Sequence, residues 1–461
     1  MTPADVVLRK TLVASGIPSA QWESIRAALR ERAFFSSRIE SMRMLAAARK
    51  SVADLLAEAQ TAGGTVTTRM DAVRAVREAA QRLGVATGEG GLADPGSLVR
   101  ARLVVDTNAG LAAGYVHHAA DMTAGARAVA PAQELVRLPQ SHPAAPRDWA
   151  RRWRQAGGKL YDGRMVALVE DSIWARISRF GCPYPPFDYN SGMTTVLVDR
   201  TEAVRLGVIA DGWKPSETPP QRGFNEGLSA DVDIGHWTGG EFRHLKDAFG
   251  DQVQFSQGAD GSMTARWSGV SMRELFAAEG AARGRVRRLG LATDALLSKM
   301  PTDELRAAFE GKGCAVSGEL KTHMERDGHW PEVSFKTNAQ IADAELDILP
   351  EIWRNPDRVL AGNREKSAVL ELDALDGGTF VLVVSGRSGG STPLPSTRES
   401  EGDSEEEGSE RMAGHGLSVR CLTVWPLPPY RKRTPCACAL SDTAHGTVQG
   451  AFTFHPLGAA R

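Results

Sequence analysis

The stretch from Trp149 to Met193, closing on Phe180-Gly-Cys-Pro-Tyr-Pro-Pro-Phe-Asp-Tyr-Asn-Ser-Gly-Met193, constrains this chain more than any other. Pro183, Pro185 and Pro186 lack a backbone donor and lock φ, so no regular helix passes through them. Asn190-Ser191-Gly192 is turn chemistry. An irregular segment of this length must be pinned by packing to offset its ordering entropy. It holds Asp148, Asp162, Glu170, Asp171 and Asp188 but no histidine, so it spells neither a base near neutral pKa nor a metal cage. Aromatic side chains with polar tips are favoured at protein interfaces. The block therefore predicts a rigid docking surface made of Trp149, Trp153, Tyr161, Trp174, Tyr184, Pro185, Pro186 and Phe187, rather than an active site.

With 461 residues, the chain is long enough for about two to four domains. An apolar content of 42% supplies real cores. A formal net charge of −1 gives no global field toward nucleic acid, so any such binding needs a local patch. Five scattered cysteines argue against a disulfide framework and for a reducing compartment. Cys436-Ala-Cys438 is too tight and too isolated for zinc, and no metal or other cofactor is expected. No apolar run reaches the roughly 20 residues of a membrane span, and the N-terminus lacks the pattern of a secretory signal. The expectation is a soluble protein made in the cytoplasm, without membrane partners.

The pattern along the chain predicts an α+β multidomain protein. Its N-terminal half is mainly helical with the irregular Trp/Pro-rich segment; a small α+β module and a disordered tail follow. Ile25, Leu29, Ile39, Met42, Leu45, Val52 and Leu55 recur at helical intervals, and Gly63-Gly64 turns the chain into a second helix capped by Thr67 or Thr68. Residues 1–86 are thus a helical hairpin or arm. Leu98 to Met122 is helical, with Leu103, Val104, Leu111, Tyr115 and His118 as inner positions. His117 and His118 point about 100° apart on a helix, which suits surface or interface histidines better than a chelate. Residues 87–215 form the central domain. Residues 216–298 are a connecting mixed region, with strands around Val253–Phe255 and Met263–Trp267 and a helix over Ser271–Leu297. Residues 299–388 form the α+β module: Thr302 caps a helix, another covers Ala339–Trp353, and Val369–Leu372 and Thr379–Val384 are strands joined at Asp376-Gly377-Gly378. Residues 389–461 turn Gly/Ser/Glu-rich and lose periodicity. The sheet breaks off in mid-fold, which suggests a reading frame shifted or degenerate after about Gly386, and a disordered or degenerate tail over 389–461.

The central block resembles the Mu F-like minor head, or head morphogenesis, family of tailed phages. The matching words are Arg102-Leu-Val-Val-Asp-Thr-Asn108 with Gly114-Tyr115, Gln133-Glu-Leu-Val-Arg137, Trp149 to Trp153, Gly157-Gly-Lys-Leu-Tyr-Asp-Gly-Arg164 and Tyr184-Pro-Pro-Phe187. The resemblance covers roughly residues 20–210. Many relatives continue from Pro-Pro into a His…Cys-Arg-Cys pattern, which here is Phe187-Asp-Tyr-Asn190. The resemblance implies a protein of the phage head, present in the bacterial host cytoplasm during assembly. It would act in procapsid assembly near the portal, with portal and major capsid proteins as partners and no catalysis.

Ser317-Gly-Glu-Leu-Lys-Thr-His323, His329-Trp-Pro-Glu332, Leu349-Pro-Glu-Ile-Trp-Arg-Asn-Pro356 and Asn363-Arg-Glu-Lys366 resemble the phage-borne nuclease domains grouped with barnase, EndoU, colicin-type and RelE toxins. Such domains are often fused behind F-like head proteins. Metal-independent RNA cleavage needs a base for the 2′-hydroxyl, an acid for the leaving oxygen and cations for the phosphorane. His323 and His329 titrate in the right range, and Lys321, Arg364 and Lys366 supply charge. The same words also read as a helix-exit packing motif and a solvated turn. Three readings stand: a structural head protein, a metal-independent RNase effector or toxin, and a host nucleic-acid-binding protein, which the near-zero charge disfavours.

Overall fold

A computed structural model describes residues 1–58, 68–138, 147–216, 229–232, 238–249, 253–259, 262–267, 286–317, 346–362, 366–375, 378–386 and 417–426. It is an α+β structure with several small sheets. Thr2 and Asp5 form a capping box that starts α1 (Pro3–Arg9). The chain then enters β1 (Thr11–Val13), which pairs in parallel with β2 (Ala33–Phe35) across α2 (Ser19–Ser24) and α3 (Ala27–Glu31). The continuous helix expected from Trp22 is therefore interrupted. Consecutive apolar residues such as Ala33 and Phe34 are buried side by side, which a strand covered on both faces allows.

Helical periodicity holds from α4 (Met42–Glu58) through α5 (Arg69–Arg82), started by the expected capping box at Thr68 and Asp71, to α6 (Leu98–Asp121), capped by Ser97. Gly63-Gly64 lies outside the described residues. These helices pack with α1 around Val7, Leu45, Val52, Val73, Val76 and Val105. On α6 the buried face is Ala101, Val105, Asn108, Ala112 and Gly114; Leu103, Val104, Leu111, Tyr115 and His118 are only half-buried. Small residues face inward because neighbouring chain lies against this helix.

The central region contributes α7 (Ala124–Val129), β3 (Ala132–Arg137), α8 (Trp149–Gln155), β4 (Val166–Leu168), α9 (Ile173–Ile177), β5 (Met193–Val198) and α10 (Arg200–Arg205). β3 is the middle of an antiparallel sheet ordered β4-β3-β5. Next come β6 (Ser229–Val232), α11 (Gly239–Phe249), β7 (Val253–Gln257) and β8 (Met263–Trp267), the last two where the sequence placed them. Leu245, Phe249, Val253 and Ala265 share one core with Val13, Ile17, Trp22 and Ile25, and Trp22 stacks on Phe35 at 4.1 Å.

The largest sheet runs β11-β12-β13-β14-β10-β9. Its members are β9 (Val286–Leu291), β10 (Gly313–Ser317), β11 (Arg358–Ala361), β12 (Ser367–Asp373), β13 (Gly378–Gly386) and β14 (Leu417–Pro426). Only the β10–β14 pair is parallel. α12 (Asp294–Leu297), α13 (Asp303–Phe309) and α14 (Leu349–Arg354) supply Leu296, Phe309, Ile352 and Trp353 to its core. Two expectations are corrected. The helix predicted over Ser271–Leu297 gives way to β9 at Val286–Leu291, and of its described part only Asp294–Leu297 is helical. And the sheet does not break off at Gly386: β14, from the stretch read as degenerate, is an inner strand between β13 and β10. Its alternation was hidden by a register shift. Val383 pairs with Cys421 but Val384 pairs with Val419, so Arg420 is the extra residue and the period-2 phase flips there. The motive for a shifted reading frame disappears with the break.

The N-terminal helices and this sheet are clasped by arginines. Arg43, in the first turn of α4, donates its backbone N–H to Glu351 Oε2 at 2.6 Å and its Nε to Oε1 at 3.1 Å. Its Nη1 reaches Asp357 at 2.8 Å and the Asp373 carbonyl at 2.9 Å. Further along α4, Arg49 pairs with Asp347 at 2.6 Å and donates to the Lys10 carbonyl at 2.9 Å, while Arg82 of α5 donates to the Leu375 carbonyl at 2.5 Å. Glu351 is buried; burial pushes its carboxyl above the usual range, and the Arg43 guanidinium pulls back toward the charged form. Removing one partner of a buried pair leaves the other uncompensated. Arg43→Ala is expected to cost about 3 kcal/mol in urea unfolding at pH 8. The cost should shrink at pH 5, where the abandoned Glu351 can take up a proton. A loss within about 0.5 kcal/mol of zero at both pH values, the range of an ordinary surface substitution, would remove the clasp as a structural determinant.

Candidate functional site

The Trp/Pro block folds around its own aromatics. Trp153 and Trp174 meet edge to face at 5.2 Å, and Trp174 stacks on Phe187 at 5.9 Å. Their indole N–H groups are satisfied locally, Trp153 by the Lys159 carbonyl at 2.7 Å and Trp174 by the Leu168 carbonyl at 2.8 Å. Trp149, Trp153, Trp174, Tyr184 and Phe187 are all at most 5% exposed. This corrects the expectation of a docking surface at these positions: the five side chains are core, and only Tyr161, Pro185 and Pro186 are half-exposed. Local composition could not separate the two outcomes, because aromatics suit a core as well as an interface.

The proline turn, with a cis bond between Pro185 and Pro186, lies against α6. Gly110 faces the Pro186 ring, and a Cβ on Gly114 would collide with the Pro185 carbonyl and the Tyr184 ring. Two glycines four apart on one helix face make this approach possible, a signal visible in the sequence and not used. Tyr184 donates its hydroxyl to Glu31 and packs beside Tyr115 at 6.0 Å and His118 at 5.7 Å.

This joint is dry. Burial pushes the Tyr184 phenol and the Cys182 thiol up, so both stay protonated at neutral pH. Burial lowers Lys10 to about 8, against a weaker opposing pull from Cys182, and lowers His118 to about 4. Cys182 interacts with both Tyr184 and Lys10, so the cluster ties the proline turn to the N-terminal segment. His117 is exposed, as expected of a surface histidine.

What the module exposes is a strand. β5 has β3 on one side and no strand on the other among the described residues. Val196 is 54% and Leu197 46% exposed. Adjacent strand residues point to opposite faces, so this part of the strand is bare on both. Val129, three residues before the start of β3 and at the same end of the sheet, is 71% exposed. Such an edge is a template for a further strand, and it carries no charged residue or proline between Met193 and Val198.

Of the residues singled out for RNA chemistry, Lys321, His323, His329 and Arg364 lie outside the described residues. Lys366 is exposed, has φ 56°, and sits on the connection from β11 to β12. On the adjoining strands, Arg358 grips Asp373 through two bonds of 2.9 and 2.6 Å and Glu371 at 2.8 Å. That grip holds the Asp373 carboxyl below the usual carboxylate range. Arg358 is thus committed to the fold. Among the described residues no three His, Cys, Asp or Glu side chains are grouped to hold a metal, and no helix is long and apolar enough to cross a membrane.

His118 gives the joint a measurable acid dependence. A base with its folded pKa below its unfolded value contributes stability that is complete above about 6.5 and lost as pH falls toward about 4. The full gap corresponds to about 3 kcal/mol. Urea unfolding of the wild type should lose most of that between pH 7 and pH 4, and His118→Phe should flatten the profile. Equal slopes for the two proteins would exclude His118 as the cause.

Compared with known protein families, curated proteins and solved structures, the chain matches none.

Proposed function

We propose that this chain is a multidomain minor head protein of a tailed phage, resident in the phage head and present in the host cytoplasm during assembly. It acts in procapsid assembly near the portal, contacting portal and major capsid proteins, and its C-terminal α+β module is a barnase/RelE-like nuclease domain. The observation that carries the docking role is the open β5 edge with Val196 and Leu197 exposed. Main-chain donors and acceptors on such an edge give affinity to an incoming strand, and the two apolar side chains give it register. The buried aromatic core beneath holds that edge rigid, which lowers the ordering cost of docking.

A second reading, a metal-independent RNase effector, is supported by one observation. The described sheet of the module continues through β14, and Lys366 is exposed on the connection from β11 to β12. An exposed cation beside the sheet suits the charge of a phosphorane. In such a reaction one histidine takes the 2′-hydroxyl proton as that oxygen attacks phosphorus. The other protonates the departing 5′-oxygen, leaving a cyclic phosphate.

The two roles separate experimentally. Val196→Lys/Leu197→Lys should leave the far-ultraviolet spectrum unchanged and cut incorporation into procapsids about tenfold or more, because charge on a bare edge blocks strand addition. Undiminished incorporation would remove β5 as the docking edge. For the enzyme, the purified full chain should cleave RNA equally with and without EDTA, and His329→Ala or Lys366→Ala should slow cleavage by about a hundredfold or more. No cleavage at any protein concentration would leave a purely structural module.

A further inference from the structure

The arginines around the Trp/Pro block are distributed unevenly. Asp188, at 6% exposure, is met by three of them. Arg152 Nη1 donates to its Oδ2 at 2.9 Å, while Arg147 and Arg179 lie at 3.7 and 3.9 Å from its oxygens. The other oxygen accepts the Tyr189 backbone N–H at 2.8 Å. Arg147 also donates to the Tyr189 carbonyl at 2.8 Å, and Arg179 to Glu23 at 3.0 Å. Arg30 and Arg100 lie within electrostatic reach of Tyr189. They donate to the Ile25, Leu92 and Ser37 carbonyls and the Ser36 hydroxyl. Five guanidiniums thus face two carboxylates, Asp188 and Glu23, in a chain whose net charge is −1. The local patch that the overall charge could not provide is here.

The basin also holds unused donors. Arg147 Nη1 and Trp149 Nε1 are sealed from solvent and have no hydrogen-bond partner among the described residues. Trp149 is 95% buried, at 5% exposure, and the Arg152 guanidinium lies 5.0 Å over its ring. Trp153 and Trp174, in the same core, both have a carbonyl partner, so Trp149 is the indole of this core left without one among the described residues. A buried donor left unmade is costly, and two of them two residues apart, beside an excess of positive charge, ask for an acceptor with negative charge and several oxygens.

The geometry points to an oxyanion-binding site at Arg147, Trp149 and Arg152, flanked by Arg179, that takes a phosphate group. Arg147 donates through Nη2 to the Tyr189 carbonyl and leaves Nη1 unpartnered among the described residues, a donor that suits a phosphate oxygen. Asp188 holds the guanidiniums in place and offsets their mutual repulsion. The phosphate can belong to a small molecule or to a polynucleotide backbone, two sources of one chemistry. The site is independent of the β5 edge and of the C-terminal module, so its test stands apart from theirs.

The test uses the full chain. Thermal unfolding and isothermal titration are run with inorganic phosphate, with ATP, and with a single-stranded oligonucleotide, each against chloride at matched ionic strength. Wild type should be stabilised by phosphate and not by chloride. Trp149→Phe, which keeps the ring and removes the donor, should weaken phosphate binding about fivefold. Arg147→Gln should weaken it about tenfold or more, and Arg147→Lys should recover only part, because the charge remains and the fork is lost. Circular dichroism establishes that each variant is folded; Arg151→Gln, on the exposed side of α8, serves as the charge control and should bind like wild type. Saturation by ATP with no tighter binding of the oligonucleotide assigns the site to a small phosphate compound. Tighter, steeply salt-dependent oligonucleotide binding assigns it to a polynucleotide backbone. Equal stabilisation of wild type, Trp149→Phe and Arg147→Gln by phosphate, or none beyond chloride, overturns the proposal.

Discussion

A carboxylate taken out of water is tolerated only when it is paired, and Glu351 is buried with, among the described residues, one charged partner in contact, Arg43, from a position 308 residues earlier in the chain. That requirement fixes where the first turn of α4 meets α14. Asp357 and the Asp373 carbonyl, held by the same guanidinium, extend the constraint to the start of β11 and the end of β12. The apolar contacts agree with it: Ala46 packs against the core of the large sheet, and Leu375 against the core of the helices. The C-terminal module is therefore joined to the first helices by buried polar contacts as well as by apolar surface. Any chemistry it carries takes place on a body whose orientation α4 and α5 help to set.

A second constraint is close approach. Gly110 and Gly114 let the proline turn lie against α6, and Tyr184 reaches across to Glu31. With that turn anchored from outside, Trp153, Trp174 and Phe187 close inward on one another. The surface left over consists of what the core did not use: the bare edge of β5, and the arginines around Asp188. The conspicuous aromatics thus support both proposed surfaces without being either one.

Much of the fold was legible locally. Capping boxes at Thr2/Asp5 and Thr68/Asp71, the Ser97 cap and the Thr302 cap each mark a helix start with short-range chemistry. β7, β8 and the β12–β13 hairpin show their strands through runs of apolar and β-branched residues between turn signals. β1 and β2 were missed because three-residue strands carry too few positions to show a period. β14 was missed because its extra residue at Arg420 splits the alternation into two short phases. The site was less legible. Arg43 and Glu351 carry no signal of pairing across such a separation, and Glu351 was read only as part of a motif word. The arginine basin draws on Arg30, Arg100, Arg147, Arg152 and Arg179, which are scattered along the chain and look like ordinary surface charge.

Sequence alone determined the α+β character, the main helices and their caps, the stiffness of the proline turn and the strand pairs joined by short turns. Each of these depends on residues within a few positions of one another, whose steric and hydrogen-bonding preferences act without distant partners. The tertiary structure decided which aromatics are core, which strand edge is bare, which carboxylate is buried and which arginines converge on it. Those outcomes depend on desolvation and on contacts between residues tens to hundreds of positions apart, and such contacts exist only once the chain has closed on itself.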